Sequence, residues 1–133
     1  MIQYVCGFLF DDKETNKVLL IKKNRPDWQK GLYNGVGGKV ENNEMINIAM
    51  RREFFEETGL FISHWNRLTV IYGLDYECWF YYAYGPVNMC KSMTDEQVEV
   101  FDIKHLPNVV YNINWLIPLA QDKEVKLPII LYA

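Results

Sequence analysis

Glu53, Glu56 and Glu57 stand three and four residues apart in a stretch with helical spacing, Asn43–Thr58, and Gly59 follows at once. In a helix, positions i, i+3 and i+4 are neighbours on one face. The stretch therefore commits the fold to a helix with three carboxylates crowded on one side. Asn42 or Asn43 can cap its N-terminus, and Gly59 stands where a left-handed C-terminal cap is expected. Like charges at this spacing repel, and here they lie in the last turns, where the helix dipole disfavours acids. A helix built only for stability would carry Lys or Arg there. One reading is a solvated acidic face balanced by Arg51 and Arg52. The other is a site for a hard divalent cation, which takes oxygen ligands and leaves room for water and substrate phosphate.

The rest of the chain predicts an α/β domain. Ile2–Phe10 is rich in apolar and aromatic residues and reads as a strand. A polar turn, Asp11–Asn16, leads to a second strand, Lys17–Lys23, so the pair predicts a hairpin. Asn24–Leu32 is a loop carrying Pro26, Trp28 and Gly31. Gly35, Gly37 and Gly38 then predict turns or a close approach of the backbone to something else. Leu68–Leu74, Glu77–Tyr84 and Val98–Ile103 read as further strands. Tyr111–Gln121 has helical spacing, with Trp115, Leu116 and Leu119 as its expected packing face, and Val125–Tyr132 is a last extended segment. Strands with helices at two separated points predict a mixed sheet.

At 133 residues the expectation is one domain, 1–133. Half the residues are hydrophobic, enough for a packed core, which excludes a disordered chain. The formal charge of −3 gives no basic excess for duplex nucleic acid or an anionic membrane. Cys6, Cys78 and Cys90 are scattered and make no zinc-ligand spacing, so they read as reduced thiols. No apolar run approaches the roughly 20 residues of a membrane-spanning helix, and the apolar N-terminus meets Asp11–Asp12 without a basic flank. The expected location is cytoplasmic.

The residues around the acidic helix decide between its two readings. Gly38 is followed after five residues by Glu44, and after seven more by Arg52-Glu53-Phe54-Phe55-Glu56-Glu57-Thr58-Gly59-Leu60. This is the pattern G-x5-E-x7-R-E-U-x-E-E-x-G-U, where U is bulky and apolar, complete from Gly38 to Leu60. In it the chain resembles the Nudix hydrolases. The stretch Tyr33–Val40 (YNGVGGKV) also resembles the W-N-G-x-G-G-K-V segment of MutT-like members that remove oxidised purine triphosphates, with Tyr33 in place of the tryptophan.

The resemblance implies an α/β/α sandwich with a loop–helix–loop catalytic motif. It also implies hydrolysis of a nucleoside diphosphate-linked substrate by water with Mg2+ or Mn2+. Carried over, Glu53, Glu56 and Glu57 would hold the metal, with the carbonyl of Gly38 as a further ligand. Arg52 would orient Glu53 or Glu44 by charge-assisted hydrogen bonds, and Glu44 would be its partner more than a catalyst. Lys39 could contact phosphate or a metal-bound water. The general base would be a motif glutamate or one from a downstream loop, where Glu96 is the first candidate and Asp95 the second.

Lys22, Lys23, Arg25 and Lys30 form a basic stripe just before the motif, and Lys23 and Arg25 are the expected phosphate contacts. Asn34 matches a base-reading position, Tyr33 could stack on a base, and Asn112 could read a purine edge because an amide both donates and accepts. The leading expectation is a purine (d)NTP cleaved to NMP and pyrophosphate. The alternatives are a dinucleoside polyphosphate, an ADP-sugar or a nucleotide cofactor as substrate, or a silent nucleotide-binding module, as a monomer or homodimer. The charge supports a metal site. Within Gly38–Leu60 five acids face three bases, so two of the three excess negative charges sit in the motif, and one divalent cation would cancel them.

Overall fold

The computed structural model describes residues 1–132; Ala133, the last residue of the expected domain, lies outside the described residues. Ile2–Asp11 (β1) and Lys17–Lys22 (β2) form the expected hairpin, with Leu9 opposite Leu19 and Phe10 opposite Val18. Both strands bury side chains on both faces, so they read as continuous apolar runs instead of alternating ones. One edge of β1 carries β2 and, antiparallel over Tyr4–Gly7, the strand Val36–Lys39 (β4). Its other edge carries Tyr76–Gly85 (β6), parallel along its full length. Asn66–Tyr72 (β5) pairs with β6, and Ile129–Tyr132 (β8) lies parallel to β5. Tyr33–Asn34 (β3) and Val98–Asp102 (β7) both pair with β2. The sheet is mixed, as expected.

The pleat of β1 sends alternate side chains to two cores. Val5 and Leu9 pack with Ala49, Met50 and Phe54 of the helix Ile46–Thr58 (α1). Cys6, Phe8 and Phe10 pack with Ile113, Leu116, Ile117 and Ala120 of the helix Ile113–Gln121 (α2). A helix on each face of one sheet is an α/β/α sandwich, and it presents the acidic helix beside β4.

Three local expectations are corrected or narrowed. First, α1 begins at Ile46 with Met45 at its N-cap, so neither Asn42 nor Asn43 caps it. The preceding residues close a turn instead. The Glu44 N–H donates to the Glu41 carbonyl at 3.1 Å, the Glu41 N–H donates to Glu44 Oε1 at 3.0 Å, and Asn43 takes φ of 64°, which asparagine tolerates. The C-terminal cap is as expected, with Gly59 at φ 73°. Second, of the expected packing face of α2, Leu116 is buried and Leu119 packs against the core but Trp115 is exposed, and Ile113, Ile117 and Ala120 complete the inward face. Third, of the two readings of the glycine cluster, turns or close approach, the strand Val36–Lys39 selects the second. Its glycines serve close approach: a Cβ on Gly37 would lie 1.8 Å from the Val5 carbonyl oxygen.

Candidate active site

Arg52 organises the acidic face. Its Nε donates to Glu44 Oε2 at 2.7 Å and its Nη2 to Glu44 Oε1 at 2.9 Å. Its Nη1 donates to Glu53 Oε1 at 3.0 Å and to Glu56 Oε1 at 3.1 Å. Nη2 also reaches the Lys39 carbonyl at 3.1 Å, which ties the helix to the end of β4. The repulsion predicted for the i, i+3 pair is therefore offset by a guanidinium placed between the two carboxylates. Arg52 holds the Glu44 carboxyl below the ordinary glutamate value. Glu53 moves the other way: burial raises its pKa, Arg52 opposes that rise, and the charges of Glu56 and Glu57 add to it. Glu44 is a partner of Arg52 in the loop before the helix.

Gly38 explains how Glu53 comes so close to the sheet. A Cβ there would stand 2.5 Å from the Glu53 carboxyl group, so only glycine leaves that space to the carboxylate. Glu53, Glu56, Glu57 and the β4 backbone make an oxygen-only donor set, the kind a hard divalent cation takes. Glu53 and Glu56 face Arg52 in this arrangement, and among the described residues no three acidic, imidazole or thiol side chains close on one point.

Glu57 is the motif glutamate that Arg52 does not reach. The Thr94 hydroxyl donates to its Oε2 at 2.7 Å. The same segment caps the helix end, with the Lys91 N–H on the Thr58 carbonyl at 2.9 Å and the Met93 N–H on the Glu57 carbonyl at 3.2 Å. Glu96, two residues on, is buried. It pairs with Lys23 Nζ at 2.9 Å and accepts the N–H groups of Asn24 at 2.6 Å and Arg25 at 3.3 Å. Burial alone would raise its pKa, but the Asn24 N–H and Lys23 outweigh that and hold it below the ordinary value. Arg25 makes a two-pronged pair with Asp95. The basic stripe is thus not an open row of cations, because Asp95 and Glu96 engage Arg25 and Lys23. Lys39 is exposed and makes no ion pair among the described residues.

The other expected substrate residues lie around β3. Asn34 Oδ1 accepts the Gly35 N–H at 2.8 Å and the Cys6 thiol at 3.6 Å, and its Nδ2 donates to Gln29 at 3.1 Å. Burial raises the Cys6 thiol to about 12, so it stays a protonated donor. The Tyr33 ring packs edge-on against Phe101, with centroids 4.9 Å apart, and its hydroxyl faces Glu99. The Tyr33 backbone bonds to Asn108 and Val110, which brings the segment before α2 beside β3. At the start of α2, Asn112 Oδ1 is buried without a hydrogen-bond partner. Thr94 and Gln29 were not singled out from sequence. Each is one polar residue in a polar loop, without a pattern to mark it.

The architecture is thus a mixed sheet between two helices, with an arginine-organised glutamate face on α1 against the glycines of β4. Over residues 2–108 the chain matches the NUDIX domain family, and it belongs to that family. A 50-residue segment, 38% of this chain, is 44% identical to an oxidized purine nucleoside triphosphate hydrolase of Danio rerio and covers 31% of that protein. The match therefore spans about a third of that relative's length. The fold is similar to that of a MutT NUDIX hydrolase from Burkholderia pseudomallei (TM-score 0.75, 21% identity, 89% of this chain and 96% of that one). It is equally similar to the NUDIX domain of Shewanella oneidensis NrtR, solved with ADP ribose (TM-score 0.75, 19% identity, 94% and 89% covered). No helix among the described residues is long and apolar enough to cross a membrane.

Proposed function

We propose that this chain hydrolyses a purine nucleoside triphosphate, normal or oxidised, to the monophosphate and pyrophosphate, using Mg2+ or Mn2+. The observation that carries this reading is the acidic face of α1, where Glu53 lies against Gly38, Arg52 bonds Glu53 and Glu56, and Thr94 bonds Glu57. The aligned relative that acts on oxidised purine triphosphates supports the choice of substrate. We assign Glu53, Glu56, Glu57 and the Gly38 carbonyl to the metal. When bound, the ion supplies charge neutralisation at phosphate and a more acidic water.

The protein's own part is placement and proton transfer. The water oxygen bonds to phosphorus, the bridging P–O bond breaks, and the water proton passes to a carboxylate. We assign that acceptance to a motif glutamate, with Glu57 first, since Arg52 does not engage it. Glu96 is already bonded to Lys23 and two backbone N–H groups. We assign it to shaping the loop, along with Lys23 and Arg25. Lys39 is the cation assigned to substrate phosphate, Asn34 and Asn112 are assigned to the base edge, and Tyr33 to stacking on the base.

The test is a panel of normal and oxidised (d)NTPs, ADP-sugars and dinucleoside polyphosphates with Mg2+, with products identified by mass. Turnover of a purine triphosphate to NMP and pyrophosphate is expected. Glu53→Gln and Glu57→Gln should lower it by at least two orders of magnitude with folding retained. No turnover of any triphosphate would overturn the proposal, and cleavage of an ADP-sugar alone would move the chain to that substrate.

A further inference from the structure

We propose that Thr94 is a positioning residue for Glu57, holding its carboxylate ready for a divalent cation. The inference rests on the reading of Glu57 as a metal ligand. Arg52 bonds Glu44, Glu53 and Glu56 but not Glu57, so a different group must orient the last carboxylate of the helix. The Thr94 hydroxyl does so at 2.7 Å. An ionised carboxylate only accepts, so the Thr94 proton goes to Glu57, while the Glu96 N–H occupies a lone pair of Thr94 Oγ1 at 3.2 Å. The Glu96 carbonyl, at 3.5 Å, is the weaker competing acceptor.

The platform under Thr94 is fixed at both ends. The Lys91 and Met93 N–H groups hold it to the last turn of α1. Asp95 and Glu96 hold it to Arg25, Lys23 and the Asn24 N–H. A hydroxyl on such a platform costs Glu57 rotamer freedom once, on folding, and not again on binding. It engages Oε2 of Glu57 and makes no hydrogen bond to Oε1.

The experiment is calorimetric titration of Mn2+ into the full chain without nucleotide, alongside thermal unfolding. Thr94→Val should weaken Mn2+ binding about tenfold while lowering the unfolding midpoint only slightly, because the two hydrogen bonds it loses lie at an exposed residue. Thr94→Ser keeps the hydroxyl and should restore wild-type affinity. In a Glu57→Gln background, adding Thr94→Val should cause no further loss. Equal Mn2+ affinity in Thr94→Val and wild type overturns the proposal, as does an equal loss in Thr94→Ser and Thr94→Val. If Thr94→Val does not fold, Thr94→Ala replaces it in the same comparison. A wild-type chain that binds no Mn2+ overturns instead the metal-site reading on which the proposal rests.

Discussion

Arg52 meets Glu44 through two parallel charge-assisted bonds, Nε to Oε2 at 2.7 Å and Nη2 to Oε1 at 2.9 Å, and this fork leaves Nη1 to bridge Glu53 and Glu56. An ammonium cannot reproduce a planar fork that serves three carboxylates. Arg52→Lys should therefore lower unfolding free energy by about 1–2 kcal/mol, less than a fully buried pair would because Arg52 is partly exposed. It should also cut turnover at least tenfold. Urea denaturation and steady-state rates check both, and a variant with wild-type turnover would remove Arg52 as organiser of the site.

Gly37 and Gly38 are adjacent but should fail differently. A Cβ on Gly37 meets the Val5 backbone at 1.8 Å, and strand pairing gives it nowhere to go. A Cβ on Gly38 meets the end of the Glu53 side chain at 2.5 Å, which can swing away. Gly37→Ala should yield little folded protein. Gly38→Ala should fold with a near-normal melting temperature, yet lose most Mg2+-dependent turnover because Glu53 is displaced. Circular dichroism melts with activity assays separate the two outcomes.

The motif was legible because its residues answer to local rules: the i, i+3, i+4 glutamates, the glycine cap and the fixed spacing from Gly38 all lie within one short stretch. The hairpin was legible for the same reason. What was not legible depends on pairing across long separations. Nothing local shows that Lys23 is taken by Glu96 or that Thr94 reaches Glu57, since 73 and 37 residues separate them. On α2 only Trp115 departs from the expected face: it is large and apolar, but the spacing of Ile113, Leu116, Ile117 and Ala120 covers the sheet better and leaves Trp115 at the rim, with Leu119 packed against the core.

Glu96 should make the fold acid-sensitive. Its folded pKa lies below the ordinary 4.5, so the protein binds its proton less readily than the unfolded chain does. Its contribution is complete above that ordinary value and fades as pH falls through the lower folded value. Glu96→Gln should lose about 1–2 kcal/mol at pH 7, and its gap to wild type should close as pH drops below about 4.5. Denaturant midpoints measured from pH 7 down to pH 3 trace that convergence. A gap independent of pH would mean that Glu96 acts through shape and not through charge.

Asn112 offers the sharpest contrast between stability and recognition. Its Oδ1 is buried with no partner, and an unpaired buried carbonyl costs free energy in the unliganded protein. Leucine has nearly the same shape and no such cost. Asn112→Leu should leave the unliganded chain as stable as wild type, or more stable by up to about 1 kcal/mol. If the carbonyl is kept to accept a donor from a purine edge, the same variant should raise KM for the purine triphosphate about tenfold with kcat little changed, the pattern of a lost binding contact. Denaturation curves and KM values read the two effects separately. A stabilised variant with unchanged KM would place Asn112 outside the base pocket and leave Asn34, held by Gln29 and the Gly35 N–H, as the amide assigned to the purine base.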